Sequence, residues 1–276
     1  PPASWRIRCF PLPCPAIAPI GLIGLLAHDM RNMGNLEFKV YAEEKLDNAF
    51  ALIGFPSLGL VSSIATGLIS KNEGMVLHAG ASSPQMPPYC VMQNGIPGPQ
   101  IRMYCKPLKE GGMGCDNLLV VNSETIPKSE HQQTLSRELM AWLRDNGVKR
   151  TFILDSIPMF GNEEYGTVCA CSDPETEAMM TGFGIDVLRD GIVRGLSGTM
   201  LYEGSSIGMP TVVAIGKART DMPDPRGAAK LLESLSGILP ELMVDTEPLY
   251  GEADELEKRI AEAMEQEGMD DRILYG

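Results

Sequence analysis

Aromatic side chains make up only 6% of the 276 residues, there are three histidines, and lysines and arginines never cluster into a run. Each shortage closes something off. With few rings to fill an interior, packing falls to small and flexible apolar groups, which the 29 glycines and 17 methionines supply. With 23 basic against 36 acidic residues the formal charge is −13, a field that repels phosphate backbones, so no nucleic-acid partner is expected. The longest apolar patch, Ala16 to Ala27, is interrupted by Pro19, Gly21 and Gly24 and is too short to span a membrane. Seven cysteines, at 9, 14, 90, 105, 115, 169 and 171, are odd in number and scattered, unlike a disulfide framework. Reduced thiols point to a cytoplasmic protein. No H-E-x-x-H, G-x-S-x-G or dinucleotide fingerprint occurs.

What is present is a 44% apolar chain able to bury a sizeable core. Residues 1–35 read as a leader outside the fold, disordered or artefactual, with a weak targeting segment as the alternative, since Arg6 and Arg8 precede the apolar patch. The globular pattern begins near Leu36. Short apolar runs at 49–55, 74–80, 116–123, 150–156, 166–172 and 211–218 read as strands. Between them lie helical patterns. The first, over 56–71, is expected to bury Leu60, Ile64, Leu68 and Ile69. The second, beginning at Ser129, carries a Ser129/Gln132 capping box, an apolar face of Leu135, Leu139, Trp142 and Leu143, and Gly147 as terminator. Residues 191–208 read as a strand tip entering a helix through Gly195 and Gly198. A third strong helix starts with Asp224 as N-cap and Pro225 at its first position, and buries Ala228, Leu231, Leu232 and Leu235. "IPGP" at 96–99 reads as a hairpin turn. The alternation predicts an α/β fold, a three-layer α/β/α sandwich around a mostly parallel sheet with at least one antiparallel pair. Residues 36–250 form its domain and 251–276 a C-terminal helix and tail.

For chemistry, "GFPSLG" (Gly54–Gly59) stands at a strand-to-helix junction, where amides can cradle phosphate. It lacks the Lys and Ser/Thr of a P-loop, and Pro56 removes a donor, so a tight structural turn is the competing reading. Asp155, Glu163 and Glu164 follow strands at the end where α/β enzymes keep their sites, and solvated loop acids are the competing reading. His78, in an apolar strand, and His131, in a first helical turn, have no triad partners in the sequence; His28 lies in the leader. "CAC" at 169–171 sends both thiols to one face as small hydrophobes. No metal site or cofactor is expected.

Four blocks carry a resemblance: "IGFPSLGLVSSIA" (53–65), "MPPYCVMQNGIPGPQIRMYC" (86–105), "GIVRGLSGTMLYEG" (191–204) and "PDPRGAAKLLESL" (223–235). In that order and spacing they resemble the archaeal branch of the proteasome assembly chaperone family, over residues 36–276. The resemblance implies a fold similar to nucleoside phosphorylases without their catalytic equipment. It also implies a non-enzymatic, cytoplasmic homo-oligomer that binds proteasome α-subunits or the core particle and needs no cofactor.

The chain's last three residues, Leu274, Tyr275 and Gly276, match the hydrophobic–Tyr–any-residue ending of proteasome activators and of some archaeal assembly chaperones. Such tails enter a pocket between adjacent α-subunits. A carboxylate on Gly276 can pair with a pocket lysine, Tyr275 brings a ring with a polar tip, and Leu274 adds an apolar anchor. The competing reading folds Ile273, Leu274 and Tyr275 back onto the chain's own core. Leu256, Ile260, Ala263 and Met264 form the narrow apolar stripe of a spacer helix. The rival function is an enzyme acting on a nucleoside or phosphorylated small molecule through Gly54–Gly59.

Overall fold

The computed structural model describes residues 36–43, 46–93, 95–108, 114–161, 163–238 and 245–259. Leu274, Tyr275 and Gly276, the leader and the stripe residues Ile260, Ala263 and Met264 lie outside them.

β2 (Ala49–Gly54) shows how the sequence makes the layers. Every one of its six residues is buried, and the side chains alternate between two cores: Ala49, Ala51 and Ile53 on one face, Phe50 and Leu52 on the other. A period of two buried on both faces requires helices above and below. β2 pairs in parallel with β7 (Asn117–Ser123) on one side and β8 (Val148–Pro158) on the other, and β8 pairs in parallel with β11 (Thr211–Ala218). Outside this parallel centre the sheet turns antiparallel. β6 (Ile101–Pro107), β3 (Val76–Ser82) and β1 (Glu37–Val40) continue beyond β7 as antiparallel neighbours. On the other flank β9 (Thr167–Cys171) runs antiparallel to β11 and parallel to the two-residue β10 (Asp186–Val187). The nine strands are ordered β1-β3-β6-β7-β2-β8-β11-β9-β10.

One face of the sheet is covered by α2 (Ser129–Asp145) and α4 (Gly195–Ser206), through Leu135, Leu139, Met140, Leu143, Leu196 and Met200. The other is covered by α1 (Val61–Ile69) and α5 (Pro225–Ser236), with Met180 of α3 (Pro174–Gly182) and Leu249 of α6 (residues 247–259) joining that core. Phe50 and Phe152 meet edge to face there at 6.5 Å. The three-layer sandwich is therefore present, with its parallel strands at the centre.

Several local expectations change. α1 buries Val61, Ser62, Ala65, Thr66 and Ile69, while Leu60 is exposed and Ile64 and Leu68 are half-buried. Gly54 decides that face: a Cβ on it would stand 2.5 Å from the Ser62 carbonyl and from Thr66, so the helix presents its small side to β2. The capping box does not form. Lys128 is the N-cap of α2, and Gln132 turns inward to donate to the Pro127 carbonyl at 3.2 Å. Gly147 does end the helix, at φ +89°, with the Leu46 carbonyl too close for any Cβ. Ile96-Pro97-Gly98 is itself a strand, β5, paired with β4 (Val91–Gln93), so the turn lies just before it, at Gly95. No strand forms at 191–194; Gly195 opens α4 at φ +69° and Gly198 packs against the Val193 carbonyl.

Candidate functional site

The parallel strands β2, β7, β8 and β11 all end on one edge of the sheet, where architectures of this kind place their sites. The Gly54–Gly59 turn leaves β2 there. Ser57 Oγ accepts from the Ser62 amide, in the first turn of α1, at 3.2 Å and from the Ser62 hydroxyl at 2.7 Å. Ser156, at the end of β8, places its Oγ 2.8 Å from Ser57 Oγ and 2.7 Å from the Leu58 carbonyl. The hydroxyl of Ser57 thus takes the position before the helix that an anion's oxygen would need. Both glycines have packing reasons. Gly54 admits α1, and Gly59, at φ +58°, would press a Cβ to 2.8 Å from the Arg219 carbonyl. Titration with phosphate or with nucleosides is therefore expected to leave the amide resonances of residues 57–62 unmoved. Saturable shifts there would restore the rival reading.

The centre of this edge is Asp224, which is 2% exposed. As N-cap of α5 its carboxylate accepts from the Gly227 amide and from the Arg219 amide, each at 2.8 Å, and from the Tyr165 hydroxyl at 3.1 Å. Its own amide donates to the Gly59 carbonyl at 2.8 Å. One residue so ties together the loops after β2, before β9 and after β11. Burial, with Asp224 beside it, pushes the Tyr165 phenol up to about 12, so it stays a donor throughout the physiological range.

Asp155 is on the opposite face of β8 from Ser156. It accepts from the Ser156 amide at 2.8 Å and from the Ser197 hydroxyl in the first turn of α4. Burial raises its carboxyl above the ordinary value, and those two hydrogen bonds only partly offset it. A folded-state value above the unfolded one means the folded chain holds this proton more tightly, and stability falls as pH rises from about 4 through the raised value. Asp155→Asn should therefore raise Tm at pH 7 and lose that advantage near pH 3. Scans of both proteins across pH check it, and a Tm lowered by the substitution at pH 7 would contradict it.

Glu163 pairs with Lys217 at 3.2 Å on the surface, and Glu164 is exposed. The structure does not bring either to Asp155 by any hydrogen bond. His78 stands well away, at a bulge in β3, buried and with its ring held below its ordinary value by that burial. It lines a cavity of about 350 Å³ with Cys105 and Asn117. His131 is half-buried, 3.7 Å from Glu130. Cys169 and Cys171 both face the α1/α5 core, and burial pushes their thiols up to about 12 and about 11. Among the described residues no group of three His, Cys, Asp or Glu is poised to hold a metal, and no helix is long and apolar enough to cross a membrane.

Sequence reasoning missed what the edge displays. Leu58 and Leu60 in the turn after β2, and Ile157 and Phe160 at the end of β8, are 40%, 43%, 43% and 69% exposed. Leu60 adopts φ +54° as the N-cap of α1. A left-handed leucine costs about 1–2 kcal/mol, which hydrogen bonding of its neighbours to Ser156 and Asp224 sustains. α6 leads to the same edge. It starts beside Glu233 in the C-terminal half of α5, where the Tyr250 hydroxyl donates at 2.6 Å, and ends beside the start of α5, where Arg226 meets Asp254 and Arg219 meets Glu257, both at 2.7 Å. The described part of α6 is thus antiparallel to α5, with its later residues at the strand ends.

These features define a three-layer α/β/α sandwich with a mixed sheet, parallel at its centre. The PAC2 family model matches residues 51–264, and the chain belongs to that family. Among solved structures it is similar to Pyrococcus furiosus PbaA, an archaeal homologue of proteasome-assembly chaperone, with a TM-score of 0.75 at 25% identity, covering 87% of this chain and 96% of that one. It shares its fold with PbaB of the same organism, an archaeal proteasome activator, at a TM-score of 0.74 and 17% identity over 84% of this chain and 100% of that one. An uncharacterized protein of Methanocaldococcus jannaschii is 25% identical over 232 residues, 84% of this chain and 92% of that one.

Proposed function

We propose that this chain is a non-enzymatic proteasome assembly chaperone or adapter that binds proteasome α-subunits through Leu274, Tyr275 and Gly276. Membership of the PAC2 family carries the reading, and the likeness to PbaA and PbaB supports it. The course of α6 is consistent with it, because Asp254 and Glu257 reach the strand-end edge at Arg226 and Arg219. The tail is weak alone, since ordering a flexible segment opposes binding. A cytoplasmic homo-oligomer overcomes this by presenting several tails to a ring of clefts, where effective concentration raises avidity. Residues 251–276 act as spacer and hook, residues 36–250 as the self-associating body, and 1–35 as a leader outside it.

The rival enzymatic reading gains no support from the Gly54–Gly59 turn, where both glycines have packing reasons and the Ser57 hydroxyl occupies the Ser62 amide at the start of α1. The test is co-sedimentation with an isolated archaeal α-subunit ring. The intact chain should sediment with the ring, while a chain ending at Ile273 should remain in the supernatant with an unchanged Tm. Equal sedimentation of both rejects docking by the tail.

A further inference from the structure

We infer that a second copy of this chain adds to the open edge of β4, so that two hairpins meet antiparallel about a two-fold axis at Met92.

Charge singles out the segment. No Asp, Glu, Lys or Arg stands between Glu73 and Arg102, a stretch of 28 residues, where 21% of 28 gives about six. The centres of protein interfaces are depleted of charge in the same way. The β4–β5 hairpin lies within this stretch, with Met92 58% and Ile96 69% exposed. Two copies of a chain carrying −13 repel each other, so they close together where neither presents charge. A basic partner would be drawn instead to the acidic remainder of the surface.

The strand edges point to the same place. β4 and β5 make a sheet of only two strands, and such a hairpin is marginal in water without a third strand or a packed face. β5 cannot take that strand, because Pro97 has no amide to donate. β4 has an amide at each of its three residues, and among the described residues none of them bonds to main chain outside the hairpin. The outer strands of the nine-stranded sheet are guarded: β1 carries Glu37 and Lys39, and β10 has two residues. β4 carries neither a charge nor a proline.

The hairpin is also set in place before any partner arrives. The Gln93 side-chain amide donates to the Tyr104 hydroxyl, and the Tyr89 hydroxyl donates to the Gln100 carbonyl at 3.0 Å. Little order is then lost on pairing. Gln93 faces the body, so strand alternation turns Met92, which is paired with Pro97, to the other side. A two-fold axis through the middle of a three-residue strand sets the two copies of Met92 directly opposite each other.

This names the contact behind the self-association in the reading proposed above. It is measured without a ring, so a failure of tail docking leaves it standing. Met92→Asp and Met92→Lys are made separately in the full chain, with Ile192→Asp, at an equally exposed apolar position outside the hairpin, as control. Met92 is a surface side chain, so both variants should keep the Tm of the intact protein. Sedimentation equilibrium over a range of concentrations should show the intact chain above the mass of one copy. Each Met92 variant alone should associate at least about tenfold more weakly, because like charges then stand opposite each other. An equal mixture of the two should regain most of the association, since Asp then meets Lys across the axis. Ile192→Asp should behave as the intact chain does. A single-copy mass for the intact protein at every concentration, Met92 variants that associate as tightly as it does, or a mixture no tighter than its components would each overturn the inference. So would an equal loss in Ile192→Asp.

Discussion

Replacing Asp224 with alanine is expected to destabilise the chain by about 3–5 kcal/mol. The carboxylate serves three donors at once: the Gly227 amide in the first turn of α5, the Arg219 amide and the Tyr165 hydroxyl. Losing a helix N-cap alone costs about 1 kcal/mol, and each buried donor left unmatched adds about 1–3 kcal/mol, less what entering water recovers. Because the site is almost fully enclosed, recovery is small. Asp224→Asn should fall between, since its oxygen can keep one amide while its NH₂ meets another donor. Urea unfolding gives the result directly, as a lower midpoint at unchanged slope. A loss below about 1 kcal/mol would mean that the three loops are held by other contacts.

Tyr275→Ala is expected to reduce binding to an α-ring by at least about a hundredfold, with no change in unfolding. A buried tyrosine anchor is worth about 2 kcal/mol or more at an interface, roughly thirtyfold for one tail. With several tails per assembly the losses compound, so the avidity of the oligomer collapses faster than any single contact. Tyr275→Phe keeps the ring and should retain most of the binding, which separates apolar anchoring from the hydroxyl's hydrogen bond. Surface plasmon resonance on immobilised rings checks both, and alanine and wild-type curves that superimpose would remove Tyr275 from the mechanism.

How far the sequence could be read depends on how local each signal is. Asp224-Pro225 announced α5 because a cap and a first-turn proline act within four residues. The alternation of β2 announced a buried strand for the same reason. α1 is only partly legible because its buried face is chosen by a contact: Gly54 admits the side bearing Ser62 and Thr66, so Ile64 and Leu68 sit at the margin of the core and Leu60 is exposed. α3 went unseen although Asp173-Pro174 repeats the signal of α5, since only Thr176 and Met180 of that helix are buried and no apolar stripe marks it. The exposure of Leu58, Leu60, Ile157 and Phe160 could not be read at all, because strand order brings their loops to one edge and leaves no local pattern. Asp155 was placed correctly at a strand's end, whereas its burial depends on α4, forty residues on. The tail reading rests on resemblance alone, and its residues lie outside the described ones.

The most direct test of the central claim is an electron cryomicroscopy reconstruction of the intact chain bound to an α-subunit ring. The account predicts side-chain density for Leu274, Tyr275 and Gly276 in the clefts between adjacent α-subunits, with the strand-end edge of each body turned toward the ring. Empty clefts in a bound complex, or bodies held to the ring by another face with their tails elsewhere, would contradict it.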